Sequence, residues 1–272
     1  MIIDREAPIG VFDSGVGGLT VAREIMKNLP NERMIYFGDT ARVPYGSKSR
    51  ETVLRYSRQI VKFLQGKGVK AIVVACNTAS ALALDELEKE IDIPIIGVVK
   101  SGAKVAAETT VNKKIGVIAT ESTISSEMYQ DYIHEINPEI KVFGKACPLF
   151  VPLVEEGLLE DTITEQVATR YLQDLKTEQI DSLILGCTHY PLLSKTLGKT
   201  MGEDVKLVNP AYETAVELGK LLTQLDLASE APAGESQYQF YVSDAAKKFT
   251  QFANSILPVE EPITQEISIE EY

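Results

Sequence analysis

The sequence predicts an α/β fold of two similar, doubly wound domains with mainly parallel sheets. Three observations carry that expectation. Short apolar runs alternate with longer amphipathic stretches from one end of the chain to the other, as strand–helix–strand units require. The runs are apolar on consecutive residues, the pattern of strands covered on both faces. A set of local patterns also occurs twice, in the same order.

The strand-like runs are Ile9–Phe12, Met34–Phe37, Ala71–Ala75, Ile93–Val98, Ile115–Ile118, Ile140–Phe143, Ser182–Leu185 and Lys206–Val208. Between them, Arg50–Gln65 sets Val53, Leu54, Ser57, Ile60, Val61 and Leu64 along one face, and Thr78–Glu90 and Thr162–Leu175 follow the same helical period. After Val208, Glu213–Leu225 reads as a helix and Ala228–Ser236 as a linker. Tyr238–Val242 then alternates like a strand and Ala245–Ile256 like a helix. The acidic stretch Glu260–Tyr272 is expected to fray.

The repeat organises these elements. Gly10-Val11-Phe12 closes a strand ahead of a polar loop and a helix, and Gly116-Val117-Ile118 does the same. Lys70-Ala71-Ile72-Val73-Val74-Ala75-Cys76 mirrors Asp181-Ser182-Leu183-Ile184-Leu185-Gly186-Cys187. The spacing from glycine to cysteine is 66 positions in the first copy and 71 in the second. Each copy thus sets one thiol at the C-terminal end of a strand, with threonine one or two residues later. The expected division is 1–98 plus 209–272 for the first domain, with the tail folding back, and 99–208 for the second. The halves are related by a pseudo-twofold, with the site in the cleft between them.

Composition narrows the function classes. The chain has 272 residues, 44% apolar and 24% charged, ordinary globular usage and enough for about two domains at roughly 100–200 residues each. Lys and Arg number 27 against 39 Asp and Glu, a net charge of −12. That balance disfavours nucleic acid or an anionic membrane as partner. No apolar run approaches the ~18 residues of a membrane span, and no signal peptide is visible. Three cysteines, an odd number, point to a reducing, cytoplasmic setting. No CxxC or HxxxH spacing occurs and the only histidines are His134 and His189, so no metal is expected.

Two kinds of motif are candidates for chemistry. Asp13-Ser14-Gly15-Val16-Gly17-Gly18 follows the first strand. It reads either as a tight strand–helix turn or as a small-anion site at a helix start. Asp39 stands where a dinucleotide fold would put its ribose carboxylate, but Thr20 falls where that fingerprint needs Gly or Ala. The second kind is Ala75-Cys76-Asn77-Thr78 and Gly186-Cys187-Thr188-His189-Tyr190-Pro191. A free cysteine is commonly core packing. At a strand's carboxyl end, however, it lies where open α/β sheets bind ligands, and a helix N-terminus there favours its thiolate. Cys147, outside the repeat, reads as a structural thiol, and His134 as an exposed helical residue. Val43-Pro44-Tyr45-Gly46 is turn chemistry that can present backbone N–H groups, and Glu155 and Glu156 can be solvated charges at a helix end.

Together these motifs, with Gly38-Asp39-Thr40 and Pro44-Tyr45-Gly46, resemble bacterial glutamate racemases of the cofactor-independent aspartate/glutamate racemase family. The resemblance runs in order and spacing from about residue 7 to 255. It implies an amino-acid racemase of two α/β domains, without cofactor, making D-glutamate for peptidoglycan. By position it implies Cys76 and Cys187 as the proton donor/acceptor pair. Substrate contacts are implied at Asp13, Ser14, Tyr45, Gly46, Asn77, Thr78, Thr188 and His189, with supporting roles for Asp39 and Glu155. A homodimer is expected from the same resemblance. Rival readings are a racemase for aspartate or another amino acid, a non-catalytic small-anion or nucleotide-binding module, and a thiol redox protein.

Overall fold

In the computed structural model, which describes residues 4–230, 237–259 and 262–272, the chain forms two parallel sheets. The first contains β1 (Ile9–Asp13), β2 (Met34–Gly38), β3 (Ala71–Val74), β4 (Ile95–Gly97), β9 (Tyr238–Val242) and β10 (Thr264–Glu266), in the order β10-β9-β2-β1-β3-β4. The second contains β5 (Lys114–Ala119), β6 (Lys141–Ala146), β7 (Ser182–Gly186) and β8 (Lys206–Val208), in the order β6-β5-β7-β8. Every strand pair is parallel. Each sheet with its helices forms one lobe.

The repeat is visible in the register. β2-β1-β3-β4 corresponds to β6-β5-β7-β8. Phe12 lies beside Val74 in the first sheet as Ile118 lies beside Leu185 in the second. Two residues beyond Val74 and Leu185 stand Cys76 and Cys187.

Continuous apolar runs make sense because both faces of each strand are covered. Ile9 and Val11 pack into one core and Phe12 into another across the sheet. Ile115 and Val117 separate in the same way from Ile118. The period-2 geometry of a strand forces this division. Helix α2 (Arg50–Gly66) buries Val53, Ser57, Ile60, Val61, Phe63 and Leu64, and Ser49 caps it by accepting from the Thr52 N–H at 3.3 Å. Helix α3 (Asn77–Glu90) starts at the first cysteine motif. Helix α10 (Pro210–Gln224) opens with Pro at its first position behind an Asn209 cap and starts three residues before the expected Glu213.

Some boundaries differ from expectation. The run Ile93–Val98 gives a strand only at Ile95–Gly97, because Val98 opens helix α4 (Val98–Thr109). The sixth strand runs Lys141–Ala146 instead of Ile140–Phe143. The C-terminal stretch does not fray from Pro262 onward. β10 pairs with β9, Ile269 is buried in the core under α2, and Tyr272 meets the Phe63 ring edge-on at 5.2 Å. The charges hid the apolar residues interleaved among them, and it is these that pack. Within the expected linker, residues 231–236 lie outside those described. No helix among the described residues is long and apolar enough to cross a membrane.

Candidate active site

Both cysteine motifs open onto one cavity of about 380 Å³ between the lobes. Its lining includes Ser14, Tyr45, Gly46, Asn77, Thr78, Glu155, Thr188 and His189 as well as Cys76 and Cys187. Thr120, Glu121, Val43, Pro148, Val151 and Pro152 are also part of the wall. A larger groove of about 580 Å³ lies between α8 (Thr162–Thr177) and α9 (Ser194–Met201), lined by Glu165, Lys176, Lys199 and neutral polar residues. It is lined by no cysteine or histidine.

Cys76 ends the turn after β3 and is the N-cap of α3. Its sulfur accepts the Ala79 N–H at 3.4 Å and lies 3.6 Å from Ser14 Oγ, to which the thiol donates. A soft anion there would meet helix N–H groups and the helix field. Burial nevertheless dominates. It pushes the Cys76 thiol up to about 12, with the Asp13 charge adding to the rise. Cys76 therefore rests as a thiol.

Cys187 has a different neighbour. Its sulfur lies 3.8 Å from His189 Nδ1, and His189 Nε2 lies 3.3 Å from Glu155 Oε1. Glu155 is on α7 (Phe150–Glu155) of the same lobe. Burial pulls the imidazole down, but its hydrogen bonds to Cys187 and Glu155, with the Asp13 charge nearby, outweigh it and raise His189 to about 10. The His189 hydrogen bond, in turn, holds Glu155 below its ordinary range. At neutral pH His189 is a buried imidazolium between a sulfur and a carboxylate.

The remaining residues divide into those at the cavity and those behind it. Asp13 is fully buried and does not line the cavity. The Gly15 N–H donates to its Oδ2 at 2.8 Å, while Oδ1 has no partner. Burial raises its pKa, and its charge acts on both Cys76 and His189. Asp39 also sits behind the wall. It accepts from the Arg42 Nε at 2.7 and 2.9 Å, from the Ser243 hydroxyl at 2.9 Å and from the Tyr45 hydroxyl. The Tyr45 hydroxyl is therefore committed to Asp39, and the 3₁₀ turn Tyr45–Ser47 borders the cavity. Asn77 Oδ1 accepts from Tyr129 at 2.6 Å. Thr78 bridges to Thr120 at 2.9 Å and Thr123 at 3.2 Å, across the lobe boundary.

Two glycines are required by contact. A Cβ on Gly17 would lie 2.3 Å from Thr188 Oγ1 and 2.5 Å from the His189 ring. Hydrogen there lets the glycine loop of one lobe press on the cysteine motif of the other. A Cβ on Gly46 would lie 2.7 Å from Thr120 Cβ. The Asp13–Gly18 loop is thus a close-packing turn against Thr188 and His189, a role that the sequence left open.

Cys147 is buried in the second lobe's core with Phe150 and Leu172, away from the cavity lining. His134 is helical as expected, but half-buried, with Nε2 2.9 Å from the Ile140 carbonyl. Sequence reasoning missed Thr120 as a wall residue. The repeat held the signal, because Thr120 follows β5 as Ser14 follows β1. Among the described residues, no cluster of three or more His, Cys, Asp or Glu side chains is arranged to hold a metal ion.

Comparison with known proteins agrees with this geometry. The family model for Asp/Glu/hydantoin racemases matches residues 9–218. A glutamate racemase of Geobacter metallireducens is 50% identical over 92% of this chain and 92% of its own length. One of Neisseria gonorrhoeae is 48% identical over 94% of each chain. The crystal structure of a Bacillus anthracis glutamate racemase superposes with a TM-score of 0.92 at 40% identity, covering 97% of this chain and 98% of that one. That of the Francisella tularensis enzyme, solved with D-glutamate, gives 0.91 at 41% identity, covering 98% and 100%. The chain belongs to the Asp/Glu/hydantoin racemase family.

Proposed function

We propose that this chain interconverts L- and D-glutamate by moving a proton at Cα between two thiols, Cys76 and Cys187, one on each face of the substrate. The observation that carries this reading is that two pseudo-equivalent cysteines, one from each lobe, line a single cavity. Removing a proton from one face of a carbon and returning one to the other needs either a base that moves or two bases. The repeat supplies two. Each turnover also needs one sulfur charged and one protonated. Burial and Asp13 keep Cys76 as a thiol, whereas the imidazolium of His189 lies beside Cys187. Two thiolates facing one cavity would repel, so one sulfur at a time carries the charge.

The Cα–H of an amino acid is a very weak acid, so charge developing on the substrate must meet preorganised donors in a water-poor cleft. The N-terminus of α3 at Asn77 and Thr78, the Gly46 turn and the Thr188 segment border the cavity and supply that role. Removing one such donor typically costs ~100–1,000-fold in turnover. Glu155 holds His189 by a hydrogen bond, Asp13 acts on it through its charge, and Asp39 holds Tyr45; neither Asp13 nor Asp39 is assigned direct contact with substrate. No cofactor enters this scheme.

The substrate follows from the relatives at 48–50% identity, which are glutamate racemases. An aspartate racemase of Picrophilus torridus aligns at 17% identity and shares the fold alone. D-Glutamate for peptidoglycan, a cytoplasmic setting and a homodimer complete the reading. The lobe boundaries are drawn at 1–98 plus 209–272 and 99–208, supported by β9 and β10 joining the first sheet. The decisive experiment follows α-hydrogen exchange in heavy water and enantiomer interconversion over a panel of L-amino acids. Cys76→Ala and Cys187→Ala should each abolish interconversion of glutamate. Normal racemisation by both variants would refute the assignment, and preferred turnover of aspartate would move the substrate. Light scattering on the purified chain tests the dimer.

A further inference from the structure

Helix α11 (Ala246–Ile256) belongs to the first lobe by its buried side. Phe249 and Ala253 sit in that lobe's core. Two other side chains, one turn apart and therefore neighbours on the helix surface, reach the second lobe. Phe252 packs against the cores of both lobes. Lys248 Nζ lies 3.6 Å from Glu155 Oε2. The other oxygen of that carboxylate, Oε1, faces His189 Nε2 at 3.3 Å.

We propose that Lys248, seated by Phe252, is a positioning residue for racemisation: from the first lobe it fixes the Glu155 carboxylate that orients His189 in the second. Lys248 touches neither sulfur and does not line the cavity. It acts through Glu155. Glu155 lies between one ion pair within its own lobe and one across the cleft, so the separation of the lobes at α11 and the orientation of the imidazole are set together. Asp13 and Cys187 are the other groups that act electrostatically on His189. This inference rests on the role given to His189 in the two-thiol reading.

The test is a double-mutant cycle on kcat/KM with the full-length enzyme. The variants are Lys248→Met, Lys248→Arg, Glu155→Gln and the Met/Gln pair. Exposed ion pairs of this kind couple by a factor of about 1.4 to five. Lys248→Met should therefore lower kcat/KM about 1.4- to five-fold at low salt, with its thermal midpoint unchanged because the side chain is mostly exposed. Lys248→Arg should restore the activity. In the pair, Met at 248 should add no loss beyond that of Glu155→Gln. The deficit should fade towards ~1 M salt, where the screening length falls to about 3 Å. Wild-type activity for Lys248→Met at low salt, or additive losses in the pair, overturns the proposal. The two-thiol reading is judged separately, by whether Cys187→Ala abolishes turnover in the same assay.

Discussion

Replacing His189 with Gln removes a cation from beside the Cys187 sulfur while keeping a hydrogen-bonding side chain. At the observed 3.8 Å, two unit charges in an effective dielectric of ~20 attract by about 4 kcal/mol. Hydrogen bonds to charged groups measured by mutation are worth less, about 1.5–3 kcal/mol. At 1.36 kcal/mol per factor of ten, the smaller range gives about a 10- to 150-fold loss in kcat/KM. The equilibrium between enantiomers is symmetric, so the loss must be equal from L- and from D-glutamate. The pH profiles should also separate. In the wild type His189 holds its proton to about 10, so activity should stay level through neutral pH and fall through that value. In the variant that fall through about 10 should be absent, because the group that titrates there is gone. Stability carries the same signature. Unfolded histidine releases its proton near ~6.5, and the folded one near about 10. The contribution is complete below the lower value and is lost as pH rises through the upper one. Thermal midpoints should therefore fall with pH across that window in the wild type and less so in His189→Gln. A variant within twofold of wild-type kcat/KM, with an unchanged profile, refutes the assigned role of His189.

Cys147→Ala should leave racemisation intact and lower stability by roughly 1 kcal/mol in urea titration, because it removes a buried sulfur from the second lobe's core. Arg42→Met leaves Asp39 buried without its cation and should destabilise by about 3–5 kcal/mol; Asp39→Leu in the same chain should recover part of that loss, and failure to do so argues against the pair. Gly17→Ala should reduce kcat/KM on the order of 10–100-fold, the scale of small displacements in a catalytic array, since the added methyl meets Thr188 and the His189 ring. Circular dichroism should show that variant folded, and wild-type kinetics would mean that the loop yields without consequence.

The parallel α/β architecture was legible because both of its signals are local. Strands covered on both faces must be apolar on consecutive residues, and helices must repeat near 3.6. The repeat was legible because pseudo-equivalent strands keep the same residues before the same turn. The placement of Ser14, Cys76, Asn77, Thr188 and His189 at one cavity follows from that repetition together with the rule that ligands gather at strand carboxyl ends. The tail is not legible in the same way, because its acidic residues outnumber Ile267, Ile269 and Tyr272, whose packing against α2 appears only once α2 is in place.

Other contacts had no local signal. Asp39 and Arg42 are three residues apart, yet the Ser243 hydroxyl that completes their network comes from the far end of the chain. Lys248 reads in the sequence as one more surface charge, and only the approach of α11 to α7 puts it on Glu155.

The sequence by itself determined the two-lobed α/β plan and the position of one thiol at a strand end in each lobe, because periodicity and repeated strand-end motifs are properties of neighbouring residues. Tertiary structure alone decided the difference between those thiols. One lies near buried Asp13 and the other beside an imidazolium held by Glu155, and such electrostatic environments are set by groups that meet only when distant segments fold together.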